Sequence, residues 1–264
     1  MSAALETRSV DLGATALEYH VTADGPGEPL LLLHPWFGSW QFWGHVLEAM
    51  PERPCYAVDL YSIGKGDWLP FASPIGLADA VLRLLDAEGI ERCVLAGNST
   101  GGIAGQVLAA AVPDRISRLV LVGTGASTGG LPPAYRAELE SWIAGHGGDD
   151  ATAALVGRLL SRRPADDEFD VYVREVSGAN RDFVATTLRS TLQLDLRPRL
   201  PRISAQTLVI RGDRDAARTP EHVAALLAGI PGSTAVEIPG GGHSPMVDSA
   251  DLFIDVVRRF LGES

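Results

Sequence analysis

A serine, a histidine and two aspartates occupy turn-like segments in which side chains of these types can perform nucleophilic catalysis. Ser99 lies in a Gly-x-Ser-x-Gly pattern at residues 97–101, between an apolar run at 93–96 and apolar residues at helical spacing. Flanking glycines permit a strand–turn–helix so tight that the serine takes a positive φ. The turn would hold Ser99 Oγ at the carboxyl end of the strand, above a helix N-terminus that favours negative charge.

The same pattern occurs again at residues 125–129, around Ser127 and after a strand-like run at 119–122. Pro132 and Pro133 follow it closely. Prolines push the residues before them out of the α region, so a helix cannot begin at this second serine. We predict that Ser99 is the nucleophile and that Ser127 is an ordinary loop serine.

A serine hydroxyl is a weak nucleophile at neutral pH and requires a general base, which an acid in turn orients. Of the six histidines, His34 and His243 lie on loops that follow predicted strands. His243 stands after three glycines and before Ser-Pro, in a loop that can reach over a sheet edge. We predict that His243 is the general base. The other four are expected to be solvated or structural: His20, His45, His146 and His222.

Two aspartates, Asp213 and Asp215, share the loop after the strand-like run at 206–210. Either carboxylate could orient the imidazole. Two adjacent carboxylates beside one histidine would repel each other, so we expect only one of them to point inward. Spacing alone does not choose between them.

Strand-like and helix-like segments alternate along most of the chain. The predicted strands are residues 6–12, 17–22, 29–33, 55–59, 93–96, 116–122, 206–210 and 234–238. Predicted helices include 41–50, 78–88, 220–227 and a terminal helix capped by Asp248 or Ser249. Such alternation predicts an α/β fold with a doubly wound, mostly parallel eight-stranded sheet and right-handed crossovers. Ligands bind at the carboxyl ends of such strands, where the loops 34–38, 60–68 and 97–101 are expected.

The β signal disappears between residues 131 and 200. Four short helices are predicted there, at 135–144, 151–160, 169–176 and 181–194. We interpret 131–200 as a helical cap inserted into a core formed by 1–130 and 201–264, because the alternation of strand and helix resumes at 206. The alternative is a contiguous helical domain elsewhere.

Composition narrows the class of partner. The net charge of −11 argues against nucleic acid and anionic membranes. Cys55 and Cys93 are isolated and each opens a strand-like run, which is typical of core residues rather than of a disulfide or a metal pair. The first residues lack the pattern of a signal peptide. We expect a cytoplasmic monomer or homodimer without cofactor or metal.

The order Ser99, Asp215, His243 resembles that of the α/β-hydrolase fold superfamily, of the serine esterase, lactonase and C–C hydrolase type. The resemblance covers nearly the whole chain. The family's acid is the second Asp of Gly-x-x-Asp, which matches residues 212–215, and its base lies in Gly-His-x-Pro, which matches 242–245. The resemblance therefore implies that Asp215 is the acid.

An oxyanion hole requires two N–H donors, and the residue after the nucleophile, Thr100, would supply one. The resemblance implies that Trp36 N–H is the other and that His34 is structural. This chain has Pro35 where the family has glycine, and proline has no N–H to donate. Residues 59–64 stand where relatives usually have Asp-x-Pro-Gly-x-Gly, and this chain departs from that motif. We expect Tyr61, within this segment, to line the site. Serine at the nucleophile position sets aside the relatives that attack with aspartate, the haloalkane dehalogenases and epoxide hydrolases.

Aromatic residues cluster around two of the strand-end loops: Trp36, Phe37, Trp40, Phe42, Trp43, Trp68 and Phe71. About half of them are expected in the core, where aromatic side chains dominate. The others predict a pocket for a bulky apolar group. We predict that Phe37, Tyr61, Trp68 and, from the cap, Phe183 bind the substrate.

These features predict a cofactor-independent serine hydrolase acting on a carboxylic ester or lactone of a hydrophobic small molecule. A second hypothesis keeps the fold and site but changes the reaction to C–C hydrolysis or to non-hydrolytic lyase, perhydrolase or oxygenase chemistry; Pro35 gives it weight. A third is a ligand-binding protein with a vestigial triad, although a complete set of triad residues argues against it.

Overall fold

A computed structural model describes residues 5–22, 25–127 and 133–263. Eight strands form one sheet in the order β1-β2-β4-β3-β5-β6-β7-β8, which confirms the predicted architecture. The strands are β1 (Glu6–Asp11), β2 (Ala16–Val21), β3 (Leu30–Leu33), β4 (Cys55–Asp59), β5 (Cys93–Asn98), β6 (Ile116–Val122), β7 (Gln206–Gly212) and β8 (Thr234–Ile238).

The sheet is antiparallel at one edge and parallel elsewhere. β1 and β2 form a hairpin, and β2 pairs antiparallel with β4. The strands from β4 across to β8 are parallel. Since parallel strands end at the same edge, the loops after β3, β5, β6 and β7 meet there. β5 lies between β3 and β6, so the turn after β5 occupies the middle of this edge.

The strands β3, β4 and β5 form because they are short apolar runs. Every residue of β3, β4 and β5 is buried, as expected for parallel strands covered on both faces. The α-helices outside residues 131–200, the segment predicted as a cap and called the cap region below, are α1 (Gly44–Ala49), α2 (Pro74–Ala87), α3 (Thr100–Ala111), α8 (Pro220–Gly229), α9 (Pro245–Asp248) and α10 (Ala250–Leu261). α2 packs against α3, and α1 packs against α10. Cys55 and Cys93 are buried free thiols.

Four helices lie between β6 and β7: α4 (Pro133–Ile143), α5 (Gly148–Gly157), α6 (Asp166–Ser177) and α7 (Arg181–Gln193). α4 packs on α5 and α7, and α5 packs on α6. The division into a core and a cap at residues 131–200 stays a prediction. Of the second Gly-x-Ser-x-Gly pattern, Ser127 forms an isolated β-bridge with Asp195, and residues 128 and 129 lie outside the described ones.

Two local predictions were wrong. Residues 41–50 were expected to form one helix, but a 3₁₀ helix (Trp40–Trp43) precedes α1. The loop expected at 60–68 contains another 3₁₀ helix (Leu60–Lys65), which Asp59 caps by accepting a hydrogen bond from the Tyr61 N–H. Ser249 is the N-cap residue of α10, one of the two predicted, although its side chain makes no capping hydrogen bond. Across the described ranges, no helix is long and apolar enough to cross a membrane.

Candidate active site

The turn between β5 and α3 holds Ser99 in a strained conformation. Its φ is +51°, a region that residues with a Cβ rarely adopt, and α3 begins at the next residue. Gly101 permits the turn to lie against the end of β3, because a Cβ there would stand 2.3 Å from the Leu33 carbonyl oxygen. The Ser99 turn therefore contacts the start of the loop at residues 34–38, the oxyanion loop.

His243 and Asp215 form a buried pair. His243 Nδ1 lies 2.9 Å from Asp215 Oδ2. The other carboxylate oxygen accepts hydrogen bonds from the N–H groups of Ala217 (2.8 Å) and Arg218 (3.0 Å). Burial alone would raise the pKa of Asp215, but the imidazole and these two N–H groups outweigh it and hold the pKa below its usual value. The pair fixes Nδ1 toward the carboxylate, which leaves Nε2 as the nitrogen able to take a proton.

The structure separates the two candidate acids. Asp213 is exposed, and its side chain accepts a hydrogen bond from the Gly240 N–H at 2.8 Å. Asp215 is the aspartate that reaches His243, which agrees with the resemblance. The sequence left this choice open because both carboxylates leave β7 on the same loop.

Asn98 joins the loop at residues 239–244, the histidine loop, to the Ser99 turn. Its Nδ2 donates hydrogen bonds to the carbonyl oxygens of Val122 and His243, both at 2.9 Å. Its Oδ1 accepts one from Ser244 Oγ at 2.7 Å. The His243 backbone is thus fastened to the residue before Ser99. Among the described residues, no hydrogen bond joins Ser99 Oγ to the imidazole; such catalytic contacts are often long before a substrate is bound.

Asp248 fastens the other side of the histidine loop. Its Oδ2 accepts hydrogen bonds from the N–H groups of Gly242 (3.0 Å) and Ser161 (2.7 Å) and from Ser161 Oγ (3.1 Å). The Ser244 N–H donates to the Leu159 carbonyl oxygen at 2.9 Å. The segment between α5 and α6 therefore holds the loop that carries His243. The sequence suggests Asp248 or Ser249 as a helix cap, and it predicts neither this role of Asp248 nor that of Asn98.

The oxyanion loop presents a backbone N–H group despite its proline. The Pro35 carbonyl oxygen accepts hydrogen bonds from His34 Nδ1 (2.8 Å) and from the Gly38 N–H (3.3 Å). In a trans peptide the next N–H points the opposite way, and this N–H belongs to Trp36. The Trp36 N–H donates to none of the described residues. Thr100 is the first residue of α3, whose N–H has no partner inside the helix.

His34 links the oxyanion loop to the end of β4. Its Nε2 accepts a hydrogen bond from the Leu60 N–H at 3.0 Å. Burial lowers the pKa of His34 to about 4, so the ring is neutral at physiological pH. Asp59 Oδ1 lies 3.9 Å from His34 Nε2, and burial raises the pKa of Asp59 to about 6. These contacts give His34 a structural position, as the resemblance implies.

The four residues predicted to bind substrate lie in aromatic contacts that join the oxyanion loop to the cap region. Tyr61 stacks on Trp36, with ring centroids 5.3 Å apart and planes at 13°. Phe183 of α7 meets Trp36 at 5.7 Å and Trp68 at 5.8 Å. Phe37 packs edge-on against Trp142 of α4 at 5.3 Å. Their binding role stays a prediction. Phe42 and Trp43 are fully buried in the core.

The described residues contain no group of three or more His, Cys, Asp or Glu side chains arranged to hold a metal ion. The arrangement that they do contain is a serine turn, an Asp–His pair and free backbone N–H groups at one sheet edge. Groups of this kind can attack a carbonyl carbon, move a proton and stabilise a developing oxyanion.

Comparisons with known proteins identify the family of the chain. A model of the alpha/beta hydrolase family matches residues 30–256. The chain is 29% identical to a protein of Azorhizobium caulinodans named "Putative carbamate hydrolase RutD", over 90% of this chain and 93% of the relative. It is 28% identical to the 2-hydroxy-6-oxononadienedioate/2-hydroxy-6-oxononatrienedioate hydrolase of Klebsiella pneumoniae, over 97% of this chain and 95% of the relative.

Solved structures agree as well. The enol-lactonase of Burkholderia xenovorans LB400 superposes with a TM-score of 0.82 and 26% identity, covering 97% of this chain and all of the other. The family model covers most of the chain, including the Ser99 turn, the Asp215 loop and the histidine loop. The chain belongs to the alpha/beta hydrolase family.

Proposed function

We propose that the protein is a serine hydrolase that cleaves a carboxylic ester or lactone of a hydrophobic small molecule. Ser99 is the nucleophile, His243 the general base and Asp215 the acid that orients the base. The backbone N–H groups of Trp36 and Thr100 stabilise the oxyanion. The chemistry requires no group beyond these side chains, these N–H donors and water.

The reaction proceeds through an acyl-enzyme. Ser99 Oγ attacks the carbonyl carbon and gives its proton to His243 Nε2, while Asp215 holds the Nδ1–H and stabilises the imidazolium. Negative charge develops on the carbonyl oxygen, which the two N–H groups bind. The intermediate collapses, and His243 returns the proton to the departing alkoxide. A water molecule, deprotonated by His243, then attacks the acyl carbon. The second tetrahedral intermediate collapses, His243 returns the proton to Ser99 Oγ, and the carboxylic acid leaves.

The observation that carries the proposal is the anchoring of the Asp215–His243 pair to the serine turn. Asn98 binds the His243 carbonyl oxygen at 2.9 Å, and Ser99 follows it at φ +51°. A serine with an ordinary loop role needs neither this strain nor a buried imidazole–carboxylate pair fastened to the preceding residue.

The proposed substrate class rests on the aromatic contacts beside the oxyanion loop and on related hydrolases. Trp36, Tyr61, Trp68 and Phe183 favour an apolar group next to the scissile carbonyl. An enol-lactonase is similar to this chain in structure. C–C hydrolysis is the second candidate, because a relative named as a 2-hydroxy-6-oxononadienedioate hydrolase matches 97% of the chain.

A substrate panel on wild type and Ser99→Ala tests the proposal. Aryl esters, lactones and vinylogous diketones represent the candidate reactions. Ser99→Ala should lose at least about three orders of magnitude in kcat on every true substrate. Ser127→Ala, which removes the other serine of the same pattern, is the matched control and should keep its activity. Turnover retained in Ser99→Ala would refute the nucleophile, and preference for diketones would replace the ester hypothesis.

A further inference from the structure

The Tyr61 hydroxyl contacts the oxyanion loop directly. Tyr61 Oη accepts a hydrogen bond from the Phe37 N–H at 2.9 Å. Tyr61 is 6% exposed and Phe37 is 2% exposed, so water does not compete freely for this bond. Phe37 is the residue after Trp36, whose N–H the proposed mechanism uses. The hydroxyl therefore binds the peptide that immediately follows the oxyanion donor.

Phe37 requires such support because its backbone is strained. Its φ is +64°, and Phe37 and Ser99 are the two described residues other than glycine with positive φ. A bulky side chain disfavours this left-handed region, and such strain persists where the surroundings over-determine it. The Phe37 ring packs against Trp142, and its N–H is held by Tyr61. These two contacts keep the loop in a turn that its sequence alone opposes.

Tyr61 is itself fixed from several sides. Its backbone N–H donates to Asp59 Oδ1 at 3.0 Å, and its ring stacks on Trp36. The ring also lies 4.9 Å from that of His34. Burial raises the pKa of Tyr61 well above its usual value, so the phenol stays protonated at any working pH. The hydroxyl is a rigid neutral acceptor for the Phe37 N–H.

Two side chains thus hold the two peptide planes on either side of the Trp36 Cα. His34 Nδ1 binds the Pro35 carbonyl oxygen, which orients the plane containing the Trp36 N–H. The Tyr61 hydroxyl binds the plane that contains the Phe37 N–H. We propose that Tyr61 is a positioning residue, which acts through the oxyanion loop to aim the Trp36 N–H at the developing oxyanion. This role rests on the proposed function.

Tyr61→Phe removes the hydroxyl and keeps the ring. Tyr19→Phe is the matched control: Tyr19 is 1% exposed, and its hydroxyl donates to Glu88 Oε1 at 2.6 Å in another part of the sheet. An oxyanion donor acts mainly in the transition state, so misalignment of the Trp36 N–H lowers kcat more than it changes KM. Tyr61→Phe should therefore lower kcat by about tenfold to a hundredfold and leave KM within about twofold. Tyr19→Phe should change neither by more than about twofold.

Inhibitor binding separates positioning from general damage to the pocket. A trifluoromethyl ketone forms a tetrahedral oxyanion with the nucleophile, whereas the methyl ketone of the same chain stays uncharged. Tyr61→Phe should weaken binding of the trifluoromethyl ketone by the same factor by which it lowers kcat/KM. Binding of the methyl ketone should be unchanged. Equal weakening of both ketones, or a kcat within about twofold of wild type, would overturn the proposal.

Amide exchange in the wild-type protein tests the contact without any variant. The Phe37 N–H should exchange as slowly as buried sheet amides, because it is bonded to a buried hydroxyl. Exchange at the rate of an open loop would contradict the proposal. Labelling of Ser99 by a fluorophosphonate distinguishes failure of the proposed function from failure of the role of Tyr61. If no Ser99 adduct forms, the proposed function fails. If the adduct forms but Tyr61→Phe turns over substrate as fast as wild type, only the role of Tyr61 is refuted.

Discussion

The two loops that flank Ser99 are held in different ways. On one side of the histidine loop, Asn98 donates a hydrogen bond to the His243 carbonyl oxygen, and on the other, Asp248 accepts one from the Gly242 N–H. The oxyanion loop is held by aromatic contacts, by one hydroxyl at Tyr61 and by the His34 ring. Hydrogen bonds fix distance and direction, whereas aromatic contacts fix shape and tolerate small displacements.

The difference corresponds to what each loop does in the proposed reaction. Proton transfer between Ser99 and His243 requires a set distance and angle, which buried polar anchors supply. In the same reaction the oxyanion loop supplies a backbone donor, the Trp36 N–H, to the developing oxyanion. We therefore expect loss of the inner anchor of the histidine loop to lower kcat by about a hundredfold, the upper end of the loss expected when the Tyr61 hydroxyl no longer holds the oxyanion loop.

The largest effect should follow from Asn98→Ala, which breaks the histidine loop at its inner anchor. The variant loses hydrogen bonds to the Val122 and His243 carbonyl oxygens and leaves Ser244 Oγ without its acceptor. We expect kcat to fall by about a hundredfold, since small displacements of a catalytic base are costly. Steady-state kinetics on an aryl ester measures this.

Gln106→Ala is the matched control for that variant. Gln106 is a buried amide on α3 that donates to the carbonyl oxygens of Gly102 and Gly125, both at 3.2 Å. Asn98→Ala should lose more free energy of unfolding than Gln106→Ala, because it loses three buried hydrogen bonds whereas Gln106→Ala loses two longer ones. Gln106→Ala should keep kcat within about threefold of wild type. Equal losses of kcat in the two variants would contradict a specific role for Asn98.

A smaller effect is expected from Asp248→Asn, at the outer anchor of the histidine loop. The amide replaces a carboxylate oxygen that accepts from Gly242 and Ser161, and it offers those N–H groups a weaker acceptor. We expect kcat to fall about tenfold, because the inner anchor at Asn98 remains. Asp213→Asn, an exposed carboxylate in the neighbouring loop, should leave kcat nearly unchanged. A large loss in Asp213→Asn would reopen the choice of acid.

The smallest effect on turnover should come from Asp59→Asn, which instead changes how stability depends on pH. Burial raises the pKa of Asp59 from its usual 3.8 to about 6, so the folded state binds more protons than the unfolded state between these pH values. Stability from this group therefore falls as pH rises through that window. The asparagine removes the penalty, and the variant should gain up to about 3 kcal/mol over wild type between pH 4 and 7.

His34 opposes this trend in the wild-type protein. Burial lowers its pKa from the usual 6.5 to about 4, so the unfolded state binds more protons between these pH values and stability rises with pH. Chemical denaturation of both proteins from pH 4 to 7 tests the prediction. In the wild-type protein the contributions of Asp59 and His34 should nearly cancel, so this pair should add little slope to the free energy of unfolding against pH. In Asp59→Asn the free energy of unfolding should rise with pH, because only the contribution of His34 remains. Parallel curves for the two proteins would contradict the raised pKa of Asp59.

Much of the fold could be predicted because its signals are local. The apolar runs of β3 to β7 and the glycine spacing around Ser99 lie within a few residues of one another. The choice of Asp215 could not be made from spacing, since the direction of a side chain leaving β7 depends on the loop that packs over it. The resemblance to a family supplied that assignment, and the 2.9 Å contact with His243 agrees with it.

The anchors of the two loops carry no local signal. Asn98 and His243 are separated by 145 residues in the sequence, and only the folded sheet brings them together. The one sign of this anchor in the sequence is that Asn98 is a polar residue at the end of an otherwise apolar strand. A buried amide needs hydrogen-bond partners, which predicts some contact but not which one. Tyr61 was predicted to line the site, but its hydrogen bond to a strained Phe37 depends on a turn that no residue pattern announces.

Labelling with a fluorophosphonate tests the central claim, that Ser99, His243 and Asp215 act together at one sheet edge. Intact mass and peptide mapping of the wild-type protein should show one adduct, on Ser99. The labelling rate should fall at least about a hundredfold in His243→Ala, because the nucleophile then lacks its base. An adduct on another residue, or equal labelling rates in wild type and His243→Ala, would contradict the account.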